Sequence, residues 1–227
     1  MDAVLDNRDL VVDAFTHTVL LFLLAGVMSL LLGTLLAAMR VGPVRSMRVF
    51  AAGYVTLVRN TPLVIVFIFF RYAAPKAGFN FNYVDIVWGD VRMNTFFAAA
   101  VAALTFYTAS FVCEAIRSGV NAVPLGQAEA ARAVGLPFGG TMTQVILPQA
   151  FRATVPPLAS VQIALLKNTT VAGVFGVTEA AARLKIFTND YATERLQLFL
   201  IFALVFVILV EILSFFAHRL ERRWRIA

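Results

Sequence analysis

The sequence predicts an all-α integral membrane protein with five transmembrane helices. Of its 227 residues, 60% are hydrophobic and only 14% are charged, a balance that soluble domains do not have. The apolar residues occur in runs of roughly 20 residues, the length that a helix needs to cross the hydrocarbon core of a bilayer. Because these runs lack the short alternating segments of an outer-membrane barrel, we predict a single helical transmembrane domain over residues 1–227.

The five predicted spans follow one another along the chain. They cover residues 14–39, 49–72, 93–116, 151–171 and 196–217. The first span is too long for the apolar region of a signal peptide, and aspartates rather than a basic segment precede it. We therefore expect it to be retained in the mature protein. The second and fourth spans are interrupted by Arg59 and Lys167, and the last one by Glu211.

Arginines next to the spans indicate the orientation in the membrane, because cationic residues accumulate on the cytoplasmic side. One group follows the first span and a second group follows the last. These residues are Arg40, Arg45, Arg48, Arg219, Arg222, Arg223 and Arg225. We therefore expect an external N-terminus, a cytoplasmic segment over residues 117–150 and a cytoplasmic C-terminus.

Several function classes find no support in the sequence. It contains no glycine-rich phosphate loop, nucleophile elbow or HExxH motif, so we expect no enzymatic activity. The single cysteine, Cys113, implies neither a disulfide framework nor a metal site, and we expect no cofactor. No basic stripe with interleaved aromatic residues suggests nucleic acid, and the net charge of +6 suits the cytoplasmic face of anionic lipid.

Two similar breaks interrupt the apolar spans. Arg59-Asn60-Thr61-Pro62 and Lys167-Asn168-Thr169-Thr170 each place a cation before Asn-Thr in an apolar run, where a charge that faces lipid costs several kcal/mol. In one interpretation, each cation pairs with carbonyl groups or with an acid of a neighbouring helix. In the other, the breaks mark a substrate path, as interrupted helices do in other transporter folds. The residues predicted for such a path are Arg59, Asn60, Thr61, Thr108, Gln162, Lys167, Asn168 and Thr169.

The cytoplasmic segment 117–150 predicts a short rigid helix of about 10 residues. Pro124 suits the first helical position, Gly135 can close the helix in the left-handed conformation, and Pro137 forbids its continuation. A helix of this kind at the cytoplasmic mouth of a bundle is suited to docking into a partner's groove.

Further elements are expected around this helix. Thr141 can cap a second short helix that runs to Leu147, where Pro148 kinks or ends it. Just before the segment, Glu114 and Arg117 lie one helical turn apart; we expect them to form a local ion pair, and the alternative is a place in the transport path. For Glu211 we expect an arginine partner or a side chain that reaches the interface.

The same segment resembles a known family. Glu129-Ala130-Ala131, Gly135 and Val145-Ile146-Leu147-Pro148 resemble the EAA loop of importer-type ABC permeases, EAA-x3-G-x9-I-x-L-P, with valine for the usual isoleucine. The chain looks like the polar amino-acid subfamily, closest to the glutamate permeases of actinobacterial type. The motifs that carry this resemblance over residues 12–220 are Arg59–Pro62, Glu114–Gly119, Gly126-Gln127 with Glu129–Ala131, and Lys167–Thr170.

The resemblance implies a function and a set of partners. It implies the permease subunit of an ATP-driven importer of polar amino acids, with glutamate as the substrate, in the plasma membrane of a bacterium. A second similar permease, identical or not, two ABC ATPase subunits and an extracytoplasmic solute-binding protein would complete the transporter. The EAA helix would act as a lever that couples ATPase closure to alternating access. The residues that the resemblance assigns to this coupling are Gly126, Gln127, Glu129, Ala130, Ala131 and Gly135.

Two other functions compete with this one. A non-transporting membrane scaffold or sensor that anchors an ATPase would need the same docking helix. A secondary transporter is disfavoured, because the sequence shows no two repeats of three or more spans. A neighbouring gene for an ATPase and one for a solute-binding protein would separate these hypotheses.

Overall fold

The computed structural model describes residues 2–82, 84–88 and 91–224, and these residues are predominantly helical. Within them, four helices are long and apolar enough to cross a membrane: Arg8–Val41, Thr95–Asn121, Phe138–Phe175 and Ala192–Arg222. A bent pair, Arg45–Arg59 with Leu63–Lys76, supplies a fifth span if the pair counts as one. The predicted fold class is thus confirmed. Arg225, one of the arginines used for the orientation, lies outside the described residues.

The first half of the chain contains two long segments and a small hairpin. Helix α1 is a short N-terminal helix, α2 is the first long helix, and α3 follows it after a short turn. Helix α4 continues through a π-helical stretch, Phe69–Ala73, into α5, and strands β1 and β2 then form an antiparallel hairpin. The bounds are α1 Asp2–Asp6, α2 Arg8–Val41, α3 Arg45–Arg59, α4 Leu63–Ile68, α5 Ala74–Lys76, β1 Ile86–Trp88 and β2 Val91–Met93.

The second half contains the remaining spans and the cytoplasmic segment. Helix α8 passes through a π-helical stretch, Thr141–Ile146, into α9, which ends in the 3-10 helix Thr169–Phe175. A 3-10 turn, Ala192–Glu194, precedes the last helix. The bounds are α6 Thr95–Asn121, α7 Leu125–Ala133, α8 Phe138–Gly140, α9 Leu147–Asn168, α10 Ala180–Asp190 and α11 Arg195–Trp224.

The second predicted span, 49–72, is not one straight helix. Helix α3 ends at Arg59, and the next helical segment starts at Leu63 with its axis turned by 106°. Pro62 causes the break, because proline has no N–H and disfavours the α conformation of the residue before it. Pro62 itself has an extended ψ of 140°. The polar interruption expected at Asn60-Thr61-Pro62 is therefore a sharp corner between two helices.

The expectation for Thr141–Leu147 was partly wrong. The helix does not end at Pro148, because the chain stays helical from Phe138 to Phe175. Proline has no N–H for the i→i−4 hydrogen bond of an α-helix. The π-helical stretch directly before α9 has a different hydrogen-bond pattern with wider turns, so Pro148 is accommodated there without ending the helix. The second break is also milder than the first: at Asn168 the helix tightens to a 3-10 helix without a corner.

The core lies where α2, α6 and α9 pack against one another. Leu21, Leu104 and Leu165 from these three helices are fully buried in one cluster. Two glycines bring the helix backbones close together: a β-carbon on Gly33 would lie 2.5 Å from Val112, and one on Gly119 would lie 1.9 Å from Thr154 Oγ1. Small residues at such crossings allow close helix packing in membranes. Helix α11 packs on α9 and leaves most of its apolar surface exposed, as a lipid-facing helix does.

Candidate coupling surface and substrate path

The predicted cytoplasmic helix is present as α7, and its two ends match the sequence prediction within one residue. Pro124 directly precedes the first helical residue. Gly135 has a φ of 87°, the left-handed conformation expected of it. Its N–H donates to the carbonyl of Arg132 (2.9 Å), and the N–H of Leu136 donates to that of Ala131 (3.1 Å). This is the glycine-terminated motif that satisfies the last carbonyl groups of a helix.

Helix α7 is anchored on the C-terminal end of α6 and the N-terminal end of α9, which the sequence predicts to be cytoplasmic and which we call the inner ends. Three residues connect it to α6, and the stretch 134–146 connects it to α9. Its support is a small apolar cluster made of Val123, Ile146 and Ala150 with Val120, Ala128, Met142 and Val145. The helix is therefore attached to α6 by a short connection and to the start of α9 by this longer helical stretch and by packing.

The predicted coupling residues divide into an exposed group and one buried residue. Gly126, Gln127, Glu129, Ala130 and Gly135 are exposed. Ala131 is only 5% exposed, so it packs beneath the helix rather than on its outer face.

Sequence reasoning missed the apolar residues of this surface. Leu125 and Val134, at the two ends of α7, are each 80% exposed, and Phe138 is 59% exposed. Together with Glu129 and Ala130 they form an outer face of mixed apolar and charged character, which is typical of a protein contact site. The sequence signal that could have identified these apolar residues was their position close to Glu129-Ala130-Ala131 in the chain.

A second feature is a cluster of three arginines around one carboxylate, Glu114, at the inner half of α6. Arg40 from α2 donates to Glu114 Oε1. Arg117 Nη1 lies 3.7 Å from Glu114 Oε2, which confirms the predicted local ion pair. Arg59 Nη1, from the end of α3, lies 3.9 Å from the same oxygen. The cluster carries a net formal charge of +2. The participation of Arg40 and Arg59, which are distant from Glu114 in sequence, could not be predicted from the sequence.

Arg59 has features of both interpretations offered for it. It pairs with an acid of a neighbouring helix, and its guanidinium lies over the ring of Phe111 at 5.4 Å from the centroid. Its side chain nevertheless remains 45% exposed. It lines a cavity of about 350 Å³ together with Arg40, Val55, Thr56, Asn60, Phe111 and Glu114. We call this space the inner cavity.

A second cavity, with both polar and apolar side chains in its wall, also contains Phe111. It measures about 360 Å³ and is lined by Tyr107, Thr108, Phe111, Ser160, Val161, Ala164, Leu165 and Asn168. We call it the outer cavity, because its α6 residues lie closer to the N-terminal end of that helix. Thr108, Phe111 and Glu114 are spaced by three residues along α6, which places them on one side of the helix. The two cavities therefore adjoin along one face of α6 and share Phe111.

The eight predicted path residues do not form a single site. The structure places Arg59 and Asn60 at the inner cavity and Thr108 and Asn168 at the outer cavity. Thr61 donates its hydroxyl to Leu57 O (2.8 Å) beside the corner of the second span.

The remaining three residues lie elsewhere. Thr169 is buried and donates to Leu166 O at 2.7 Å. Gln162 points toward α2, since a β-carbon on Gly26 would lie 3.0 Å from its Oε1, and its buried Nε2 has no hydrogen-bond partner among the residues that the structure describes. Lys167 faces α11, in a cavity of about 440 Å³ that Glu211 also lines. The predicted arginine partner of Glu211 is not among the residues that line this cavity.

A buried carboxylate stands at the opposite end of the bundle. Glu179 is fully buried and accepts hydrogen bonds from the N–H groups of Ala181 (2.9 Å) and Ala182 (2.8 Å), which caps α10. The next residue, Ala180, donates its N–H to the buried hydroxyl of Thr18 on α2 (3.1 Å). Burial raises the pKa of Glu179 to about 7, against the lowering effect of the two backbone N–H groups. The cap therefore holds α10 against the first long helix.

Comparison with known proteins is consistent with these features. Residues 29–226 match the family described as binding-protein-dependent transport system inner membrane component. The chain is 39% identical over 201 residues to the glutamate transport system permease protein GluC of Corynebacterium glutamicum, which covers 86% of each chain. It is 32% identical over 218 residues to the probable glutamine ABC transporter permease protein GlnM of Bacillus subtilis, covering 96% of this chain and 94% of that one.

Solved structures agree with the sequence relatives. A crystal structure of an amino acid ABC transporter with histidines superposes with a TM-score of 0.83 at 26% identity, over 96% of both chains. An inward-facing structure of the MetNI methionine ABC transporter shares the fold, with a TM-score of 0.74 at 19% identity. The resemblance that the motifs indicated is confirmed.

Proposed function

The chain belongs to the family of binding-protein-dependent transport system inner membrane components, and we propose that it is the permease subunit of an ATP-driven importer of polar amino acids, with glutamate as the substrate. One observation carries the proposal. Helix α7, whose outer face is exposed, is anchored on the ends of α6 and α9; α6 lines both cavities, and α9 lines the outer one. A force on α7 therefore acts on the walls of the proposed path.

The coupling step assigns a role to each side of α7. An ABC ATPase subunit docks on the exposed face that contains Gln127, Glu129 and Ala130 between the apolar ends Leu125 and Val134. Ala131 and the cluster beneath it keep α7 fixed to the bundle, so that the helix moves as a unit. When two such ATPases close around ATP, they displace α7 and switch the path between outward and inward access.

The proposed partners follow from surfaces that one chain leaves uncovered. Thr56, Arg59 and Asn60 are exposed on α3, although polar and charged groups are costly against lipid. A second, similar permease that faces this surface would enclose the path between the two chains. An extracytoplasmic solute-binding protein would deliver the amino acid, as the family description implies. The glutamate assignment rests on the similarity to the glutamate transport system permease protein GluC and on the net positive charge of the arginine cluster at the inner cavity.

The direct test is transport by the reconstituted complex. The chain is expressed with an ABC ATPase, a second permease and a solute-binding protein from the same bacterium, and the complex is placed in liposomes that contain ATP. We expect ATP-dependent accumulation of labelled L-glutamate. ATPase binding without any amino-acid uptake would instead support the scaffold hypothesis.

A charge reversal tests the docking surface separately. Glu129→Lys should abolish both uptake and co-purification of the ATPase, because it reverses a charge at the centre of the exposed face. Asp9→Lys is the matched control, since Asp9 is a 95% exposed acid near the N-terminus, on the opposite side in the proposed orientation. Equal losses in both variants, or full co-purification of the ATPase with the Glu129 variant, would refute the docking assignment.

The proposed orientation is an external N-terminus with α7 and the C-terminus in the cytoplasm of the bacterium. It can be tested with single cysteines at positions 6, 140 and 226 in a Cys113→Ala background. An impermeant thiol reagent applied to intact cells should label only position 6. Labelling of position 140 under the same conditions would overturn the orientation.

A further inference from the structure

We propose that the inner cavity binds the side-chain carboxylate of an acidic amino acid through Arg59, and that Glu114 is an internal competitor that occupies this arginine when the cavity is empty. The inference rests on the proposed transport function and adds a specificity site and a release step to it. The inference is based on how closely each of the three arginines contacts the Glu114 carboxylate, because these contacts differ.

Of the three arginines in the cluster, only Arg40 donates a hydrogen bond to the carboxylate. Arg40 donates to Glu114 Oε1, whereas Arg59 and Arg117 lie 3.9 Å and 3.7 Å from Oε2. Those two distances are too long for hydrogen bonds. A guanidinium has five N–H donors and binds carboxylates best in a two-pronged geometry. Arg59, which donates no hydrogen bond within the part of the chain described, keeps that capacity for another anion.

The charge balance calls for such an anion. One carboxylate faces three guanidinium groups, and the side chains of Arg40 and Glu114 are only 15% and 27% exposed. In a partly buried setting, unpaired charge is costly unless an opposite charge compensates it. An acidic substrate brings one carboxylate more than a neutral amino acid, and thereby compensates one of the two excess charges.

The shape of the cavity fits a small polar ligand. Its volume of about 350 Å³ lies within the usual range for small-molecule sites. The exposed hydroxyl of Thr56 and the exposed amide of Asn60 lie beside Arg59 at the cavity wall. The site therefore offers a cation for one carboxylate, together with neutral groups that can form hydrogen bonds to the rest of an amino acid.

Glu114 supplies the means of release. When the ligand takes Arg59, Glu114 keeps its hydrogen bond from Arg40 and stays in place. When the ligand leaves, Glu114 Oε2 again becomes the nearest acid to Arg59. Glu114 lies seven residues, or about 10 Å, before the inner end of α6. This competition weakens binding near the cytoplasmic exit, where an importer must let its substrate go.

The test is binding of labelled L-glutamate to the purified permease–ATPase complex without the solute-binding protein, with L-glutamine as the competitor. Glu114→Gln removes the competitor and should tighten glutamate binding by about tenfold or more, whereas Arg59→Gln should weaken it by a similar factor. Glutamine binding should change little in either variant. Glu114→Asp should retain the wild-type preference.

Other outcomes would overturn the inference. If Glu114→Gln and Arg59→Gln change glutamate and glutamine binding equally, the cluster has only a structural role. If the complex with Glu114→Gln does not assemble, the Arg59→Gln variant alone decides. An unchanged preference of that variant for glutamate over glutamine would refute the site. Measurement in phosphatidylcholine and in phosphatidylglycerol bilayers separates the sources of the anion: an effect confined to the anionic lipid would assign the cavity to a phosphate headgroup. A wild-type complex that imports no amino acid would refute the proposed function instead.

Discussion

Replacement of Gly119 by alanine should push α6 and α9 apart at their inner ends. The added β-carbon would lie 1.9 Å from Thr154 Oγ1, 3.0 Å from Thr154 Cβ and 2.8 Å from the carbonyl oxygen of Ala150. The Thr154 hydroxyl can rotate away, but it then loses its 2.7 Å hydrogen bond to Ala150 O. The other two contacts involve backbone or β-carbon atoms, so only a shift of the helices can relieve them.

The magnitude follows from this geometry. Overpacking of a close contact usually costs roughly 1–3 kcal/mol, while alanine gains about 1 kcal/mol over glycine as a helix former. Gly53→Ala is the matched control, because Gly53 is also helical and nothing lies within 4 Å of its β-carbon position. Relative to that control, Gly119→Ala should lower the free energy of unfolding by about 1–3 kcal/mol. Unfolding in mixed micelles of dodecyl maltoside and SDS measures this difference.

A double mutant sharpens the experiment. Thr154→Ala removes the closest atom, so the combination with Gly119→Ala should recover part of the lost stability, but not all of it, since the Ala150 carbonyl remains. Gly119 also lies between Glu114 and α7 along the chain, and we expect Gly119→Ala to reduce ATP-driven uptake more than Gly53→Ala does. Equal stability of the Gly119 and Gly53 variants would refute the close crossing of α6 and α9.

Three further predictions concern other parts of the molecule. Asn168→Ala should reduce uptake more than Lys167→Met, because Asn168 lines the outer cavity while Lys167 faces α11; a larger effect of Lys167→Met in liposome uptake would reverse that assignment. Ala131→Leu should lower the melting temperature of the complex whereas Ala130→Leu should only weaken ATPase co-purification, since Ala131 alone of the two is buried; equal melting temperatures would contradict this. Burial raises the pKa of Glu179 from 4.5 to about 7. The neutral carboxyl therefore contributes to stability below pH 4.5, and the free energy of unfolding falls by roughly 3 kcal/mol as the pH rises to about 7. Glu179→Gln should therefore show a smaller fall in melting temperature than the wild type between pH 5 and pH 8, and an equal fall would refute the burial of the charge.

The parts of the fold that follow from local sequence were predictable. Span number follows from apolar run length, and the ends of α7 follow from Pro124 and Gly135, because proline and glycine act on their own backbone. A break at Arg59–Pro62 was indicated by the cation and the Asn-Thr pair in an apolar run, but its 106° angle was not, since the direction of the next helix depends on what it packs against.

The parts that depend on helix packing were not predictable. Arg40 and Glu114 are 74 residues apart, and nothing in either sequence neighbourhood specifies that they meet. Lys167 and Asn168 are adjacent in sequence and were expected to share one path, yet successive residues of a helix point about 100° apart. Only the position of α11 shows that Lys167 belongs to a different cavity. Glu129 was identified by its motif, whereas Ala131 in the same motif proved to be buried.

The packing also indicates where the inner cavity can open. Gly119 and Thr154 hold the inner ends of α6 and α9 so closely that a displacement of α7 should move these two helices together. Helix α3 leaves its polar residues Thr56 and Arg59 exposed, and the corner at Asn60–Pro62 separates its end from the next helix. Motion of α6 relative to α3 would change the distance between Glu114 Oε2 and Arg59 Nη1, which is already 3.9 Å. A displacement of α7 would thus act on the contact on which the proposed release of an acidic substrate depends.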